Sequence, residues 1–235
     1  MRRRLFHPLL AITLLACARN DGVAARPNDA AALRPAAVTS AVTAAAGDST
    51  AAILAKADAG RILGNPSASV WLIVISDFQC PFCKTWHDDS WAAIKKDYVD
   101  TGKIRVAYMN LPLPMHKNAW PAAHAAMCAS VQGKFWEMQD ALFRDQQSWE
   151  KAADPGTAFE TLGRGVGVDP VALRACITAG TMQSLIAADA DRATRAGAQS
   201  TPTFFVGNKA VVGAQPFATF RDAIEAALAA KPAGK

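Results

Sequence analysis

A continuous apolar run, Val70-Trp71-Leu72-Ile73-Val74-Ile75-Ser76, leads directly into two cysteines spaced by two residues, Asp77-Phe78-Gln79-Cys80-Pro81-Phe82-Cys83. This junction constrains the fold more than any other feature. An unbroken β-branched run of this length, bounded by turn residues, reads as a strand covered on both faces. Residues 82–99 read as a helix, with Gly102 just past its end as a stop. The cysteine pair therefore lies where a buried strand gives way to a helix. There the first N–H groups have no partner and the helix dipole presents its positive end. Such a site favours thiolate over thiol and takes a cysteine below its ordinary pKa of ~8.5. Cys80 is thus the expected attacking sulfur, exposed at the helix start, and Cys83 the more buried resolving one. Pro81 suits the first helical turn because it has no N–H to leave unpaired.

The rest of the chain supplies the layers. An edge strand is expected at 60–64, followed by the turn Asn65-Pro66-Ser67, and a short helix before it at 50–57. The strand at 103–110 closes on Leu111-Pro112-Leu113-Pro114. Residues 116–197 read as helical throughout, in segments 116–131, 134–143, 157–166, 170–179 and 182–197 separated by Gly and Pro. Strands return at 203–206 and 210–212 around Gly207-Asn208, and an amphipathic helix spans 216–229. A βαβ unit with a hairpin attached and a helical insertion at about 116–197 is an α/β layered fold occupying residues 50–235.

The N-terminus reads as an export signal. Arg2-Arg3-Arg4 precedes the apolar run 9–16, too short to span ~30 Å of hydrocarbon but suited to a signal-peptide core. It ends in Leu14-Leu15-Ala16-Cys17, similar to a lipoprotein cleavage box in which Cys17 becomes the lipidated first residue; Leu15 is uncommon there. Cleavage after Ala16-Cys17-Ala18, an A-x-A site, is the alternative. Those three arginines carry three of the five net positive charges, so removing the leader 1–17 leaves +2. No later stripe of Lys and Arg with interleaved aromatics occurs, which argues against nucleic acid as a partner. Residues 18–49, rich in Ala and Pro without an aromatic, read as a flexible linker. Either cleavage removes Cys17 from thiol chemistry and leaves an even set: Cys80, Cys83, Cys128 and Cys176.

Other chemistries compete for Cys80 and Cys83. A tetrahedral zinc site usually adds a second close pair, which this chain lacks, although His87 is a conceivable third ligand. A purely structural disulfide across two residues closes too small a loop to stabilise much. Redox exchange is the reading that uses the strand-to-helix placement. A second element, Ser200-Thr201-Pro202-Thr203-Phe204-Phe205-Val206-Gly207, sets a proline immediately before a strand, where it need not donate.

Together these elements resemble the DsbA-like branch of the thioredoxin superfamily. The resemblance covers roughly residues 60–230. It rests on Ser76 to Cys83, on Gln132-Gly133-Lys134-Phe135-Trp136-Glu137-Met138, on Thr201 to Gly207, and on Gly213-Ala214-Gln215-Pro216. It implies a thioredoxin-like fold, a mixed sheet flanked by helices with an inserted helical subdomain. It implies a cis bond before Pro202, with Thr201 and Pro202 packed against the Cys pair beside Pro81 and Phe82. It implies a protein thiol–disulfide oxidoreductase that needs no cofactor and no metal. The chain departs from the family in two places. Val74 stands where members commonly bury a carboxylate, leaving Asp77 as the nearest acid, here expected to be a polar cap near the helix start. Phe82 replaces the His of the most oxidising members, so a less extreme potential is expected.

Some relatives bridge the insertion internally, and the even cysteine count fits a Cys128–Cys176 disulfide; two buried free thiols are the alternative. His116 and His124 are expected in surface or packing roles. Phe78, Phe82 and Trp86 are candidates for an apolar rim, with core packing equally open to Phe78 and Trp86. Taken together, the chain reads as an exported, monomeric lipoprotein on the periplasmic side of a bacterial membrane. It would exchange disulfides with unfolded exported proteins, as an oxidase recycled by a membrane redox partner. An isomerase or reductase, a metal-binding lipoprotein and a redox-inert chaperone are the alternatives.

Overall fold

The computed structural model describes residues 47–230. The leader 1–17, the lipidation site Cys17 and nearly all of the expected linker lie outside the described residues. Helix α1 (Gly47–Gly60) begins inside the stretch expected to be linker and runs longer than the short helix expected at 50–57. It is followed by β1 (Ile62–Gly64) and β2 (Val70–Ser76). One continuous helix, α2, then joins Pro81–Trp86, His87–Trp91, Ala92–Ile94 and Lys95–Val99. The helix expected at 82–99 is present, but its second and last segments widen to i→i+5 bonding, a departure that residue periodicity does not register.

Strand β3 (Ile104–Asn110) leads to α3 (Ala119–Val131), α4 (Phe135–Arg144), α5 (Gln146–Trp149), α6 (Gly156–Gly165) and α7 (Pro170–Thr178). Then come α8 (Gln183–Arg195), the hairpin β4 (Thr203–Val206) and β5 (Lys209–Val212), and α9 (Phe217–Ala229). The first helix of this block starts three residues later than expected because residues 116–118 turn to bond the Cys-pair loop. The short α5 carries no sequence periodicity of its own.

The sheet order is β1-β3-β2-β4-β5. β2 pairs parallel with β3 and antiparallel with β4, so it is central and buried along its whole length. β1 closes one edge against β3 and β5 the other against β4, both antiparallel. Because alternate strand residues face opposite ways, each face has its own core. Val70, Leu72, Val74, Val106, Tyr108 and Phe204 meet α2, α9 and the helical block; Trp86 is enclosed there by Phe204 at 4.7 Å and Phe220 at 6.0 Å. Trp71, Ile73, Ile75, Ala107, Met109 and Phe205 face the other way, against Ala193 and Ala198.

This second face divides the block expected as one insertion over 116–197. Helix α8 lies across the sheet and is fastened there by buried charge. Arg61 is fully buried and bonds Asp189, Asp58 and, at 3.0 Å, the Tyr108 carbonyl. Asp189 also accepts from the Asn110 backbone at 3.1 Å and side chain at 3.0 Å, and from Arg192. A buried carboxylate meeting two guanidinium groups and two amide donors is compensated in charge and in hydrogen bonds. Within the block expected at 116–197, α8 therefore packs on the sheet itself. Among the described residues no single helix is long and apolar enough to cross a membrane.

Candidate active site

The cysteine pair opens α2. Cys80 is the residue before its first turn, in extended backbone, and Pro81 occupies the first turn. Cys80 is buried, 3% exposed, rather than exposed as the sequence reading had it. The reason is tertiary: the segment leading to Pro202 lies over its sulfur. Cys80 Sγ is 3.4 Å from the Thr201 carbonyl, and the Thr201–Pro202 bond is cis. The Gly213 N–H donates to the Pro202 carbonyl at 2.8 Å, Gly213 having a φ of 82°. That positive φ is why glycine heads Gly213-Ala214-Gln215-Pro216: the motif braces the proline loop. Phe82 is 64% exposed, whereas Phe78 and Trp86 are buried in the core. Of the three rim candidates, only Phe82 faces solvent.

The two sulfurs are electrostatically unequal. The Cys83 thiol donates to the Cys80 sulfur, the largest of the influences that bring the Cys80 pKa down to about 6. Burial opposes it, and the Thr201 hydroxyl and the Cys83 and Phe82 backbone N–H groups add to it. Cys83 is pushed the other way, first by burial and then by the Cys80 thiolate that needs its proton. At neutral pH one sulfur is an anion and its neighbour holds a proton. This division is what thiol–disulfide exchange needs, because the thiolate attacks and the pair closes on itself.

Several residues that the sequence reading left in minor roles hold this junction. Asp77 is not a helix cap. It is buried, and its carboxylate accepts from the Gln79 N–H at 2.7 Å, the Leu113 N–H at 2.8 Å and His116 Nδ1 at 2.7 Å. It thereby ties the loop after β3 to the Cys-pair loop, and His116 is a bonded member of the site's frame. Gln79 Oε1 accepts from the Asn118 N–H at 2.6 Å. Gln146 Nε2 donates to the carbonyls of Phe78 at 2.7 Å and Cys80 at 3.3 Å. Gln146 lies 66 residues from Cys80, and nothing in the local sequence marks it.

The remaining motif explains how the insertion meets the site. Gly133, φ 71°, ends α3, and α4 then sets Phe135 on Tyr108 at 5.2 Å and Trp136 on Trp91 at 5.1 Å. Cys128 and Cys176 are joined in a disulfide with Cα atoms 5.9 Å apart, linking α3 to α7. His87, the third metal ligand considered, bonds Asp140 at 2.9 Å and packs its ring on Phe143. Among the described residues no group of three or more His, Cys, Asp or Glu is arranged to hold a metal ion. His124 is partly buried, and burial lowers its pKa.

Comparison with known proteins follows the same lines. The family model described as thioredoxin matches residues 56–226. Disulfide bond formation protein D of Bacillus subtilis is 24% identical over 172 residues, 72% of this chain and 78% of that protein. A stretch of Na(+)/H(+) antiporter NhaA 3 of Salinispora tropica is 32% identical over 153 residues, 65% of this chain but 22% of that longer protein. Among solved structures, oxidised BdbD from Bacillus subtilis superimposes with a TM-score of 0.66 at 25% identity, covering 72% of this chain and 94% of that one. Alpha-DsbA1 of Wolbachia pipientis shares the fold, with a TM-score of 0.64 at 23% identity over 72% of this chain and 90% of that one. The chain belongs to the thioredoxin superfamily, in its DsbA-like branch of thiol–disulfide oxidoreductases.

Proposed function

We propose that this oxidoreductase is an exported disulfide donor in which Cys80 exchanges with substrate and Cys83 resolves. The observation that carries the reading is the opposite displacement of the two sulfurs, Cys80 down to about 6 and Cys83 upward. Stabilising the Cys80 thiolate stabilises the reduced form, and a pair with a stabilised reduced form gives up its disulfide readily. In the donor direction a substrate thiolate attacks Cys80 of the Cys80–Cys83 disulfide. The electron pair of the broken S–S bond goes to Cys83, and the substrate's second thiolate then releases Cys80 as the leaving thiolate. The substrate becomes oxidised and the pair reduced.

Pro81 and Phe82 shape the exposed side of the pair, and Thr201 and Pro202 its floor. Position 202, being proline, offers no N–H to the sulfurs or to a bound chain. The substrates are unfolded or partly folded exported proteins, and a membrane redox partner reoxidises the pair. The name of the B. subtilis relative, disulfide bond formation protein D, supports this direction. Arg2-Arg3-Arg4 and the apolar run before Cys17 support export and a lipid anchor on the extracytoplasmic side.

The test is the reduction potential of the purified protein in glutathione buffers, read by trapping free thiols. The proposal expects a value nearer the strongly oxidising end, about −120 mV, than about −270 mV. A value near the latter makes the chain a reductase, and absence of a titrating couple removes the redox reading altogether.

A further inference from the structure

Two buried hydroxyls beside the resolving cysteine have no assigned task. Ser76 ends β2 and Tyr108 lies on β3 opposite Val74. By strand alternation Ser76 and Val74 share a face, the face on which Tyr108, Cys80 and Cys83 are packed. Ser76 is 2% exposed and Tyr108 1%; neither hydroxyl makes a hydrogen bond of full geometry, and the Ser76 hydroxyl lies near enough to influence both Tyr108 and Cys83. Leaving buried hydroxyls without a well-formed bond costs stability, so two of them on the face that holds Cys83 call for an explanation. Ser76 is near enough to Cys83 to favour its ionised form, and Tyr108 is held protonated first by burial and then by the charge Cys83 would carry, with Ser76 opposing. The Asp77 N–H already points at Cys83 Sγ, 3.5 Å away.

We propose that the Asp77 N–H and the hydroxyls of Ser76 and Tyr108 form a donor pocket for the Cys83 thiolate, used only while Cys83 is leaving or attacking. This rests on the division of roles between Cys80 and Cys83 given above. When a substrate thiolate attacks Cys80, the new S–S bond forms as the Cys80–Cys83 bond breaks, and the electron pair remains on Cys83 Sγ. Hydroxyl hydrogens rotate freely, so both turn onto this sulfur without transferring a proton. In the reverse step Cys83 must lose its proton before it attacks a mixed disulfide on Cys80, and the same donors favour that loss. The titratable groups facing Cys83 are Cys80 from its own helix, Asp77 from the end of β2 and Tyr108 from β3; His116 reaches it only through Asp77. Val74 completes the pocket as an apolar wall. Neutral donors stabilise the anion without adding negative charge beside it.

The experiment uses the full-length chain and the single-oxygen deletions Ser76→Ala and Tyr108→Phe. The dithiol protein is reacted with an aromatic disulfide, and release of the second aromatic thiol, which reports Cys83 attack on the mixed disulfide, is followed against pH. Ser76→Ala is expected to slow this step about 10-fold at neutral pH and to move its profile up by about one pH unit. Tyr108→Phe acts in the same direction, and Ser76→Thr, which keeps the hydroxyl, restores the profile. Thermal stability stays level or rises in both deletion variants, because neither hydroxyl has a hydrogen bond of full geometry to lose. The equilibrium potential at neutral pH stays put, since Cys83 is protonated in the dithiol. Unchanged rates and profiles in both deletion variants overturn the proposal, as does slowing that tracks a loss of stability. If the wild-type chain itself releases no second thiol, the assignment of Cys83 as resolving sulfur fails instead.

Discussion

The sharpest quantitative consequence of the site concerns what lowers the Cys80 pKa. Its fall from the ordinary ~8.5 to about 6 corresponds to about 3–4 kcal/mol of preference for the thiolate. The largest cause is the hydrogen bond from the Cys83 thiol. A hydrogen bond to an ionised group contributes about 1.5–3 kcal/mol, which is about 1–2 pKa units. Cys83→Ala removes that donor and nothing else that touches the Cys80 sulfur, so Cys80 should half-titrate at about 7–8 in the variant. Cys83→Ser keeps an O–H in place and should stay within about one unit of the wild type. The assay is the rate of Cys80 alkylation by iodoacetamide across pH in the reduced protein. The midpoint of the profile is the quantity of interest, because burial slows the absolute rate in all three proteins alike. A Cys83→Ala midpoint equal to that of the wild type shows that the helix terminus and Thr201 do the work. A wild-type midpoint near ~8.5, the unperturbed value, refutes the electrostatic account of the site.

Three further outcomes follow from the same structure. Because the folded Cys80 value is depressed, the dithiol form gains stability as pH rises from about 6 toward ~8.5 and loses it as pH falls through about 6, an effect that thermal melts of the reduced protein should trace and the oxidised protein should lack. Replacing Cys128 and Cys176 together by Ser opens a loop with a sequence separation of 48 and should cost about 4 kcal/mol in denaturant unfolding; a loss below about 1 kcal/mol rules out the chain-entropy account. Asp189→Ala leaves the fully buried Arg61 with Asp58 as its one remaining carboxylate partner and should cost about 3–5 kcal/mol by the same measurement, with Asp189→Asn less severe because it keeps an acceptor for Asn110; equal losses would place the energy in the charge alone.

The outcome for individual residues shows which properties are local. Cys80, Pro81 and Cys83 declared a strand-to-helix junction because β2 is apolar without interruption and a helix start tolerates proline; both are properties of neighbours in sequence. Phe82 was legible for the same reason, since a residue on the first turn opposite the core stays outside. Asp77 was misjudged. A carboxylate ahead of a helix suits a cap, yet its partners Leu113 and His116 arrive from a loop more than thirty residues away. Burial of Cys80 is not legible from its sequence neighbours because its cover, the loop at Thr201–Pro202, is 121 residues distant and was expected only through the family resemblance. The packing of α8 on the sheet was not legible because α8 has the same periodicity as the helices before it, and what sets it there is Ala193 and the charge cluster on Asp189.

What the amino-acid order determined by itself is the set of elements and the chemistry at their junctions. Hydrophobic period, glycine and proline act over a few residues, and so does the field of a helix terminus on its first turn. The helix start already marked Cys80 as the sulfur to ionise; what only the tertiary structure decided is how far apart the two thiols are driven. That depends on a low-dielectric enclosure and on groups delivered from the end of β2 and from the proline loop. Electrostatic free energy is set by distance in space, and distance in space between residues far apart in sequence exists only once the chain has folded.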